Sequence, residues 1–433
     1  MDGEALESRP ARTGSRVLYA NLVSDLAVDL DEHDVLGAWA EQAPREAWLL
    51  RAGDVLVTPV PVDKAFLMYS CALIGVCPDS VGVLTLPEAF AAADRPAPHR
   101  TAVEAVRAAL GGRSVSAVLP TALDGAAVGL ARGLGVPVAP YASADRAEAA
   151  LEPTRRLNTK AGFRHAALGL GMRLPDGRVC RRTEVAGAVA ELLASHGRVV
   201  VKPDRSAGGH GLSFLTAAAQ PWTGADLATV GGPEGLWIVE ERIDVARSVS
   251  VQMETGPGGS RALFSGEMRT VAGCFTGYLS PLPDGAAGTG PVLEAWGRAL
   301  GGFLADHGYA GPFSIDAMVS ADGEVFAGES NVRRTATTTP QAMVARLAAR
   351  SGAGEPAWAT GRLRAPEVLC FDAAVERLST TGIGYDVSRA EGVVLYAGPP
   401  PDGLTWRYAV IAPDHAAVAR YEELLRSSWA TAR

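Results

Sequence analysis

A lysine followed by a glycine-rich loop is the stretch of this sequence most suited to binding a polyphosphate. Lys202 ends the apolar run Val199–Val201, which is typical of a buried strand. The loop that follows contains Ser206, Gly208, Gly209 and Gly211. Successive backbone N–H groups in such a loop can surround phosphate oxygens while an ammonium group neutralises them. The lysine precedes the glycines, which excludes a G-x-x-x-x-G-K-[ST] P-loop, and a simple hairpin turn remains the alternative.

A second group of residues could bind a divalent cation. In "SIDAMVSADGEVFAGESN", Asp316 lies on one predicted strand, Glu329 lies near the end of the next, and Asn331 follows two residues later. A hairpin turn at 321–323 places Asp316 opposite Glu329, and alternation puts Glu329 and Asn331 on one face. Three oxygen donors on one face suit Mg²⁺, with water and phosphates completing its coordination. Without a metal, the two carboxylates repel each other and one pKa rises.

Three weaker signals accompany these two groups. Lys160 lies near the start of the amphipathic pattern "LNTKAGFRHAALGLG", where a solvated surface lysine is the alternative. The apolar run "WIVEERID" reaches Glu240 and Glu241, and its backbone could meet a purine edge or simply end a strand. Arg333 and Arg334 follow the hairpin. Beside a metal–phosphate site they could stabilise charge on a transferred phosphoryl group, and an exposed basic turn is the alternative.

Composition narrows the class of protein. The 433 residues are 48% hydrophobic and 20% charged, which suits a large globular core in two or three domains. The net charge of −8 gives no basic footprint for nucleic acid or acidic membranes. The five cysteines form no C-x-x-C pair, which argues against a zinc site. No secretory signal or membrane-length apolar run appears, so the sequence predicts a cytoplasmic protein.

The chain divides into three predicted structured units. Residues 1–14 are predicted to be a disordered leader, and residues 15–145 alternate short β-rich runs with helix patterns. This alternation predicts a parallel sheet covered by helices on both faces. The first loop lacks G-x-G-x-x-G, so a dinucleotide site there is not supported. Residues 146–350 carry the polar signals in an α+β pattern, and a linker-like stretch, "SGAGEPAWATGR", precedes a small α+β unit at 363–433.

The order of these signals resembles the ATP-grasp superfamily, which includes biotin carboxylases and D-alanine–D-alanine ligases. That order is a helix lysine, a strand lysine with a glycine loop, a strand for the adenine edge, and a D…E-x-N hairpin. The resemblance implies a Rossmann-like pre-ATP-grasp domain and a two-lobed ATP-grasp domain with ATP between the lobes. It implies nucleotide contacts from Lys160, Lys202, Ser206, Gly208, Gly209, Gly211, Glu240, Glu241 and Ile243. It implies one or two Mg²⁺ ions, or Mn²⁺, on Asp316, Glu329 and Asn331.

One position departs from the superfamily pattern. Many of its ligases carry a ribose-binding glutamate shortly after the adenine strand, whereas this sequence has Arg247 and Ser248 in that zone. Asp244 is the candidate replacement, so the ribose contact stays open. Arg333 matches the arginine of the biotin carboxylase pattern E-x-N-x-R.

More narrowly, the chain resembles the ATP-grasp peptide ligases of pheganomycin biosynthesis and their relatives. The resemblance rests on "GESNVRRTATTTP" and on the C-terminal unit with "EGVVLYAG" and "RYAVIAP". It implies that a carboxylate attacks the γ-phosphoryl of ATP, and that an amine then attacks the acyl phosphate to form an amide. The implied catalytic residues are Lys202 and Arg333, which neutralise phosphate charge, and Arg269 in "SGEMRT", which binds the carboxylate or acyl phosphate.

The implied partners are a small-molecule or peptide carboxylate donor and an amine acceptor, in peptide natural-product biosynthesis. Nucleic acid and membranes are not expected partners, and a homodimer is common in the superfamily. Two alternatives remain. One is another ATP-grasp reaction, such as biotin-carboxylase-like carboxylation, and the other is an inactive nucleotide-binding regulatory protein.

Overall fold

The computed structural model describes residues 14–24, 26, 37, 39–87, 90, 99–206, 211–217, 235–271, 273–283 and 288–430. The strands are β1 (Ser15–Tyr19), β2 (Val55–Thr58), β3 (Gly82–Thr85), β4 (Val115–Pro120), β5 (Gly177–Arg181), β6 (Arg198–Pro203), β7 (Ser213–Thr216), β8 (Leu236–Glu241), β9 (Val245–Gly256), β10 (Gly259–Val271), β11 (Cys274–Ser280), β12 (Gly311–Ser320), β13 (Val325–Asn331), β14 (Ala357–Arg364), β15 (Gly392–Leu395) and β16 (Thr405–Ala412). The α-helices are α1 (Lys64–Ile74), α2 (His99–Leu110), α3 (Gly125–Leu134), α4 (Ala144–Ala149), α5 (Leu151–Leu157), α6 (Lys160–Gly169), α7 (Val185–His196), α8 (Thr289–Asp306), α9 (Thr338–Ser351), α10 (Phe371–Thr380) and α11 (His415–Ala430).

The N-terminal unit is built on a parallel sheet with strand order β3-β2-β1-β4. This confirms the parallel sheet predicted from the alternation of short apolar runs with helices. Buried residues of β1, β2 and β4 share an apolar core with residues of α2 and α3. The predicted leader, residues 1–14, lies outside the described residues apart from Gly14.

Asn21 joins the loop after β1 to the loop after β4. Its amide nitrogen donates to the Ala122 carbonyl and to Asp124 Oδ2, both at 2.8 Å. Its amide oxygen accepts from the backbone nitrogens of Thr121 and Ala122 at 2.9 and 3.1 Å. Asn21 is 1% exposed, so these bonds satisfy a buried polar side chain that holds the second loop in place.

We expect Asn21→Ala to lower the free energy of unfolding by about 1–3 kcal/mol, because it leaves the buried Ala122 N–H without its acceptor and the Ala122 carbonyl without its donor. The Thr121 N–H keeps the Tyr19 carbonyl at 3.0 Å. Chemical denaturation monitored by circular dichroism measures the change. Ser116→Ala is the control, because the Ser116 hydroxyl lies near the start of β4 and makes long, partly exposed hydrogen bonds. Equal stability of the two variants would contradict this role for Asn21.

A small antiparallel sheet with strand order β5-β8-β6-β7 forms one lobe of the middle region. Val199, Val201 and Val239 are buried in one core cluster with Val185 and Val189 of α7. Because side chains alternate along a strand, Lys202 and Glu240 point to the opposite face. The apolar pattern of these strands therefore fixes which face carries the charged residues.

The larger sheet has strand order β13-β12-β9-β10-β11-β14-β16-β15. Helix α8 covers one face, where Leu293 and Leu300 share a core cluster with Val249, Val251 and Ile315. The opposite face presents Asp316 and its cross-strand neighbour Ser250. Polar residues of β12 and β9 therefore stay on the face that α8 leaves open.

The C-terminal unit continues this larger sheet. The stretch that reads as a linker in the sequence contains β14, which pairs with β11 on one side and with β16 on the other. The linker interpretation is therefore wrong for residues 357–362, where Trp358 and Thr360 are buried. The glycines and the proline within residues 352–356 are typical of a linker, whereas the second half of the same stretch forms a strand.

Candidate active site

The acidic hairpin forms as its pattern predicts. Asp316 and Glu329 are register partners on β12 and β13, and Ser314 pairs with Asn331 on the same face. The Asn331 amide nitrogen donates to Asp316 Oδ2 at 3.0 Å. Burial raises the pKa of Asp316 above the usual carboxyl value, and the charge of Glu329 raises it further. The hairpin is therefore a site where a cation would relieve repulsion between two carboxylates.

Lys160 connects the hairpin to the segment after β6. Its ammonium nitrogen lies 3.5 Å from Glu329 Oε2 and donates to the carbonyl and hydroxyl oxygens of Ser206 at 2.8 and 3.0 Å. The side chain is 11% exposed, and this burial lowers the pKa of Lys160. Lys160 therefore meets both the acidic hairpin and the start of the glycine loop.

The start of α6 explains how Lys160 is held. The Thr159 hydroxyl caps the helix by accepting from the Gly162 nitrogen at 3.0 Å. Asp204 accepts from the backbone of Ala161 through Oδ1 at 2.7 Å, and its carbonyl accepts from the Lys160 nitrogen at 3.1 Å. The first turn of α6 is thus tied directly to the end of β6, as N-cap chemistry favours.

Lys202 forms an ion pair with Glu240 on the charged face of the smaller sheet. Arg164 also contacts this carboxylate, with Nη1 3.4 Å from Glu240 Oε2. The Arg164 guanidinium further donates to the carbonyls of Pro175 and Gly177 at 2.9 and 2.8 Å. Arg164 is absent from the sequence-based site. Its spacing of four residues from Lys160, one helical turn on the same face of α6, is the signal that could have found it.

The Glu241 side chain points away from the charged face that carries Glu240 and Lys202. Its Oε1 accepts from the Asp176 nitrogen at 2.8 Å, and its Oε2 lies 3.4 Å from His196 Nδ1 at the end of α7. Adjacent strand residues point to opposite faces, so the Glu241 side chain lies on the α7 side. Ile243 is half-buried in the connection to β9. Asp244 is exposed, and its carbonyl accepts from Ala321 at 3.1 Å.

The structure describes only the two ends of the predicted phosphate-binding loop. Ser206 contacts Lys160 as above, and Gly211 begins the return with a φ of +72°, a left-handed conformation that glycine adopts freely. The predicted contacts of Gly208 and Gly209 lie outside the described residues.

Arg333 lies beside the hairpin and is oriented by Asn158. Asn158 Oδ1 accepts from Arg333 Nη1 and from the Val332 nitrogen, the latter at 3.0 Å. Burial lowers the pKa of Arg333, while the charges of Glu329 and Asp316 raise it. Asn158 is a second residue that sequence reasoning missed, and its place two residues before Lys160 is a weak signal at best.

Arg269 is placed elsewhere by the structure. Its Nη1 and Nη2 lie 2.5 and 3.0 Å from the carboxylate oxygens of Glu422 on α11. Met268 pairs with Ser248, which shares its face with Ser250 and Asp316, so Arg269 lies on the opposite face. The prediction that Arg269 faces the cleft is wrong, because period-two alternation turns it toward α11.

We expect Arg269→Met to lower the free energy of unfolding by about 1–3 kcal/mol without lowering the turnover rate, because Glu422 is 7% exposed and loses its cation. Thermal unfolding and ADP release measure the two effects. Arg298→Met is the matched control, since its pair with Glu294 on α8 is exposed and contributes little. A large loss of turnover at unchanged stability would return Arg269 to the cleft.

Comparisons with known proteins agree with this architecture. The family described as "Pre ATP-grasp domain" matches residues 43–136, and the "PGM1 C-terminal domain" family matches residues 373–425. No curated protein matches the sequence. Among the described helices, none is long and apolar enough for a membrane span.

Solved structures resemble the chain over nearly its whole length. N5-carboxyaminoimidazole ribonucleotide synthetase from Thermus thermophilus is 16% identical, with a TM-score of 0.57 over 96% of this chain and 99% of its own. The biotin carboxylase–βγ-ATP complex from Campylobacter jejuni is 12% identical, with a TM-score of 0.58 over 95% and 91%. An Aspergillus clavatus carboxyaminoimidazole synthase with ADP and 5-aminoimidazole ribonucleotide is 12% identical, with a TM-score of 0.54 over 96% and 97%. The chain therefore has the ATP-grasp fold, with a pre-ATP-grasp domain in its N-terminal region and a small C-terminal domain.

Proposed function

We propose that the protein is an ATP-dependent carboxylate–amine ligase that forms an amide bond, with a peptide as its product. The observation that carries this proposal is the position of Lys160, whose ammonium group contacts both Ser206 and Glu329. A phosphate chain bound between these two points would meet two lysines on one side and two carboxylates on the other. That is an arrangement for positioning phosphates and a divalent cation together.

The nucleotide would lie between the smaller sheet and the acidic hairpin. Lys160 and Lys202 are the cations for its phosphates, and Ser206 contacts Lys160 at the start of the glycine-rich loop. We keep Glu240, Ile243 and Asp244 as candidate residues near the adenine base. The Glu241 side chain instead contacts Asp176 and His196. We therefore assign any base contact at Glu241 to its backbone carbonyl, because its backbone N–H donates to the Asp176 carbonyl at 2.7 Å.

The acidic hairpin suits Mg²⁺, or Mn²⁺ in its place. Asp316, Glu329 and Asn331 offer carboxylate and amide oxygens, which are hard ligands. The raised pKa of Asp316 next to Glu329 is the property of a site that a cation would stabilise. When bound, the ion would supply charge neutralisation to the phosphates.

The chain's own residues then account for a two-step reaction. A substrate carboxylate oxygen attacks the γ-phosphorus, the bond to the β-phosphate oxygen breaks, and ADP leaves with that electron pair. Lys202, Lys160 and Arg333 balance the charge that spreads over the transferred phosphoryl group. An amine then attacks the acyl carbon, and phosphate leaves as the nitrogen gives up a proton. Asn158 holds Arg333 in place for these steps.

A phosphate-release screen with paired amino acids and peptides, as donors and acceptors, tests the proposal. ADP and phosphate that appear only with both partners, together with a new amide by mass spectrometry, would support it. ADP release that needs bicarbonate and no amine would instead favour a carboxylase. Tight ATP binding without ADP release across the whole panel would favour a regulatory nucleotide-binding protein.

A further inference from the structure

Two arginines face each other on neighbouring strands of the larger sheet. Arg362 on β14 and Arg407 on β16 are register partners, and like charges placed directly opposite each other destabilise a sheet. Neither guanidinium group forms a hydrogen bond or an ion pair with a residue that the structure describes. Arg364, two residues further along the same face of β14, instead has Nη1 3.6 Å from Asp402 Oδ2. The pair of Arg362 and Arg407 is therefore positive charge that no described carboxylate balances within ion-pair distance.

The pair projects from the sheet face that carries the acidic hairpin. Asp316 is the register partner of Ser250, whose hydroxyl oxygen lies 3.0 Å from that of Tyr278. Tyr278 pairs with Thr360 on β14, and Arg362 follows two residues later on the same face. Four strand spacings of about 4.8 Å separate β12 from β14, so the acidic hairpin and Arg362 are roughly 19 Å apart across the sheet. A single bound molecule would need to be extended to reach both.

Two further arginines connect the pair to the turn after the hairpin. Arg45 is 2% exposed, and its pKa is lowered by burial and by the charges of Arg407 and Arg334. Arg334 follows Arg333 directly in the chain. Four cations therefore lead from the hairpin to β14 and β16, and we call them the arginine row: Arg334, Arg45, Arg407 and Arg362.

Among the described residues, one carboxylate lies within ion-pair distance of the arginine row. Glu46 has Oε1 4.0 Å from Arg45 Nε and Oε2 4.0 Å from Arg334 Nε. Glu46 also accepts a hydrogen bond from Thr339 Oγ1 at 2.6 Å. One negative charge shared by two arginines leaves the row with excess positive charge, which is costly where it is buried. A bound anion would reduce that cost.

One end of the arginine row is open to solvent and suits an oxyanion. Arg362 is exposed and Arg407 is half-buried, so solutes can reach both, whereas Arg45 is enclosed. Guanidinium groups bind carboxylate and phosphate oxygens through paired, charge-assisted hydrogen bonds. Two such groups on adjacent strands offer their donors side by side.

We propose that Arg362 and Arg407 bind an oxyanion of the amine substrate, and that the ligase thereby selects acceptors with an acidic group remote from the reacting nitrogen. The inference rests on the proposed function, which places the amine beside the acidic hairpin. At about 3.3 Å per extended residue, about five or six residues span roughly 19 Å. A side-chain carboxylate, a C-terminal carboxylate and a phosphate ester share the oxyanion chemistry that this pair recognises.

Hexapeptide acceptors that differ at one position test the charge requirement. The parent is a neutral, C-terminally amidated peptide with glutamine at its sixth position, and its variants carry glutamate, phosphoserine or lysine there. Isothermal titration of the full-length protein, saturated with the unreactive β,γ-methylene analogue of ATP, measures each affinity. We expect the glutamate or the phosphoserine peptide to bind at least about tenfold more tightly than the glutamine and lysine peptides. Equal binding of all four peptides would overturn the inference.

Two further peptides locate the anion. Glutamate moved to the second position no longer reaches β14, so we expect no gain in affinity over the parent. A free C-terminal carboxylate on the glutamine parent identifies the chain terminus as the source if it raises the affinity as the side-chain acid does. An equal gain from glutamate at the second position would overturn the assignment to Arg362 and Arg407.

Variants of the arginine pair link the effect to this site. Arg362→Glu is expected to weaken binding of the acidic peptide at least about tenfold and to make the lysine peptide bind better than the parent, because the charge is reversed. Arg407→Gln is expected to weaken the acidic peptide about fivefold and to leave the neutral parent unchanged. Thermal unfolding should show no loss of stability, since each change relieves repulsion between like charges.

Arg364→Gln is the matched control, on the same strand and face. Its exposed pair with Asp402 contributes little, so peptide selectivity should not change. A loss of selectivity in Arg364→Gln equal to that in Arg407→Gln, or an unchanged preference in Arg362→Glu, would contradict the proposal.

Turnover separates this inference from the proposed function. Equal rates of ADP release and amide formation with the glutamate, glutamine and lysine peptides would overturn the acceptor assignment and leave the ligase intact. Charge-selective peptide binding without ADP release for any carboxylate donor would overturn the proposed function and leave the oxyanion site in place.

Discussion

Glu329→Gln is expected to lower ADP release by at least about a hundredfold, with the fold unchanged. The substitution keeps the size of the side chain and removes the charge that faces Asp316 across the hairpin. One preorganised electrostatic group commonly contributes this much to catalysis. Lys160 keeps its two bonds to Ser206 after the 3.5 Å pair with Glu329 is lost, so the lobes remain connected.

Steady-state ADP release over a range of Mg²⁺ concentrations measures the effect. We also expect the concentration for half-maximal activity to rise, because a ligand charge has been removed. Glu324→Gln is the matched control on the same hairpin, where the carboxylate forms an exposed pair with Arg173 and contributes little. Near-normal turnover of Glu329→Gln would remove the hairpin from the proposed site.

Lys202→Met is expected to reduce ADP release by a similar factor, through loss of the charge closest to Glu240 on the cleft face of the smaller sheet. The methionine preserves the length of the side chain. Arg164 remains 3.4 Å from Glu240, so the buried carboxylate keeps a cation and the protein should fold. The variant therefore tests the proposed phosphate contact of Lys202, while Arg164 continues to neutralise Glu240.

Nucleotide titration and turnover distinguish binding from catalysis in this variant. We expect weaker ATP binding together with lower turnover, since a phosphate cation acts in the ground state and in the transition state. Lys64→Met, at the exposed start of α1, is the control. Unchanged ATP affinity and turnover for Lys202→Met would mean that the Glu240 pair is purely structural.

Glu329 and Lys202 come from different sheets, and the common role proposed for them depends on the position of Lys160, which contacts Glu329 directly and is tied to the end of β6. The described contacts show how this is achieved: Asp204 fixes the first turn of α6 to the end of β6, while the ammonium group of Lys160 reaches β13. Asn158 gives the same segment a second attachment, at Arg333.

Local pattern was sufficient for the strands that carry the site. Val199–Val201 predicts a buried strand that ends in Lys202, and the apolar residues alone decide that Lys202 lies on the face away from α7. The alternation of β-rich runs and helices similarly predicts the parallel N-terminal sheet. In each case, the information lies in residues close together in sequence, where period and composition act directly.

The acidic hairpin has one feature that local sequence pattern does not predict. Its inner pairs are centred on Asp322, so a regular ladder would place Gly328 opposite Asp316. A register shift between Asp316 and Ala317 makes Glu329 the partner instead. A bulge of this kind redirects one side chain and is common near functional sites. The predicted pairing of Asp316 with Glu329 is correct, whereas the bulge that produces it is seen only in the structure.

The sequence by itself determined the order of the phosphate-binding and metal-binding signals and the class of fold that holds them. Tertiary structure decided that Arg269 pairs with Glu422, that β14 joins two units into one sheet, and that Arg362 and Arg407 lie on the same sheet face as Asp316. The physical reason is distance along the chain. These contacts join segments far apart in sequence, so they depend on how whole elements pack, whereas strand faces and helix caps are set by near neighbours.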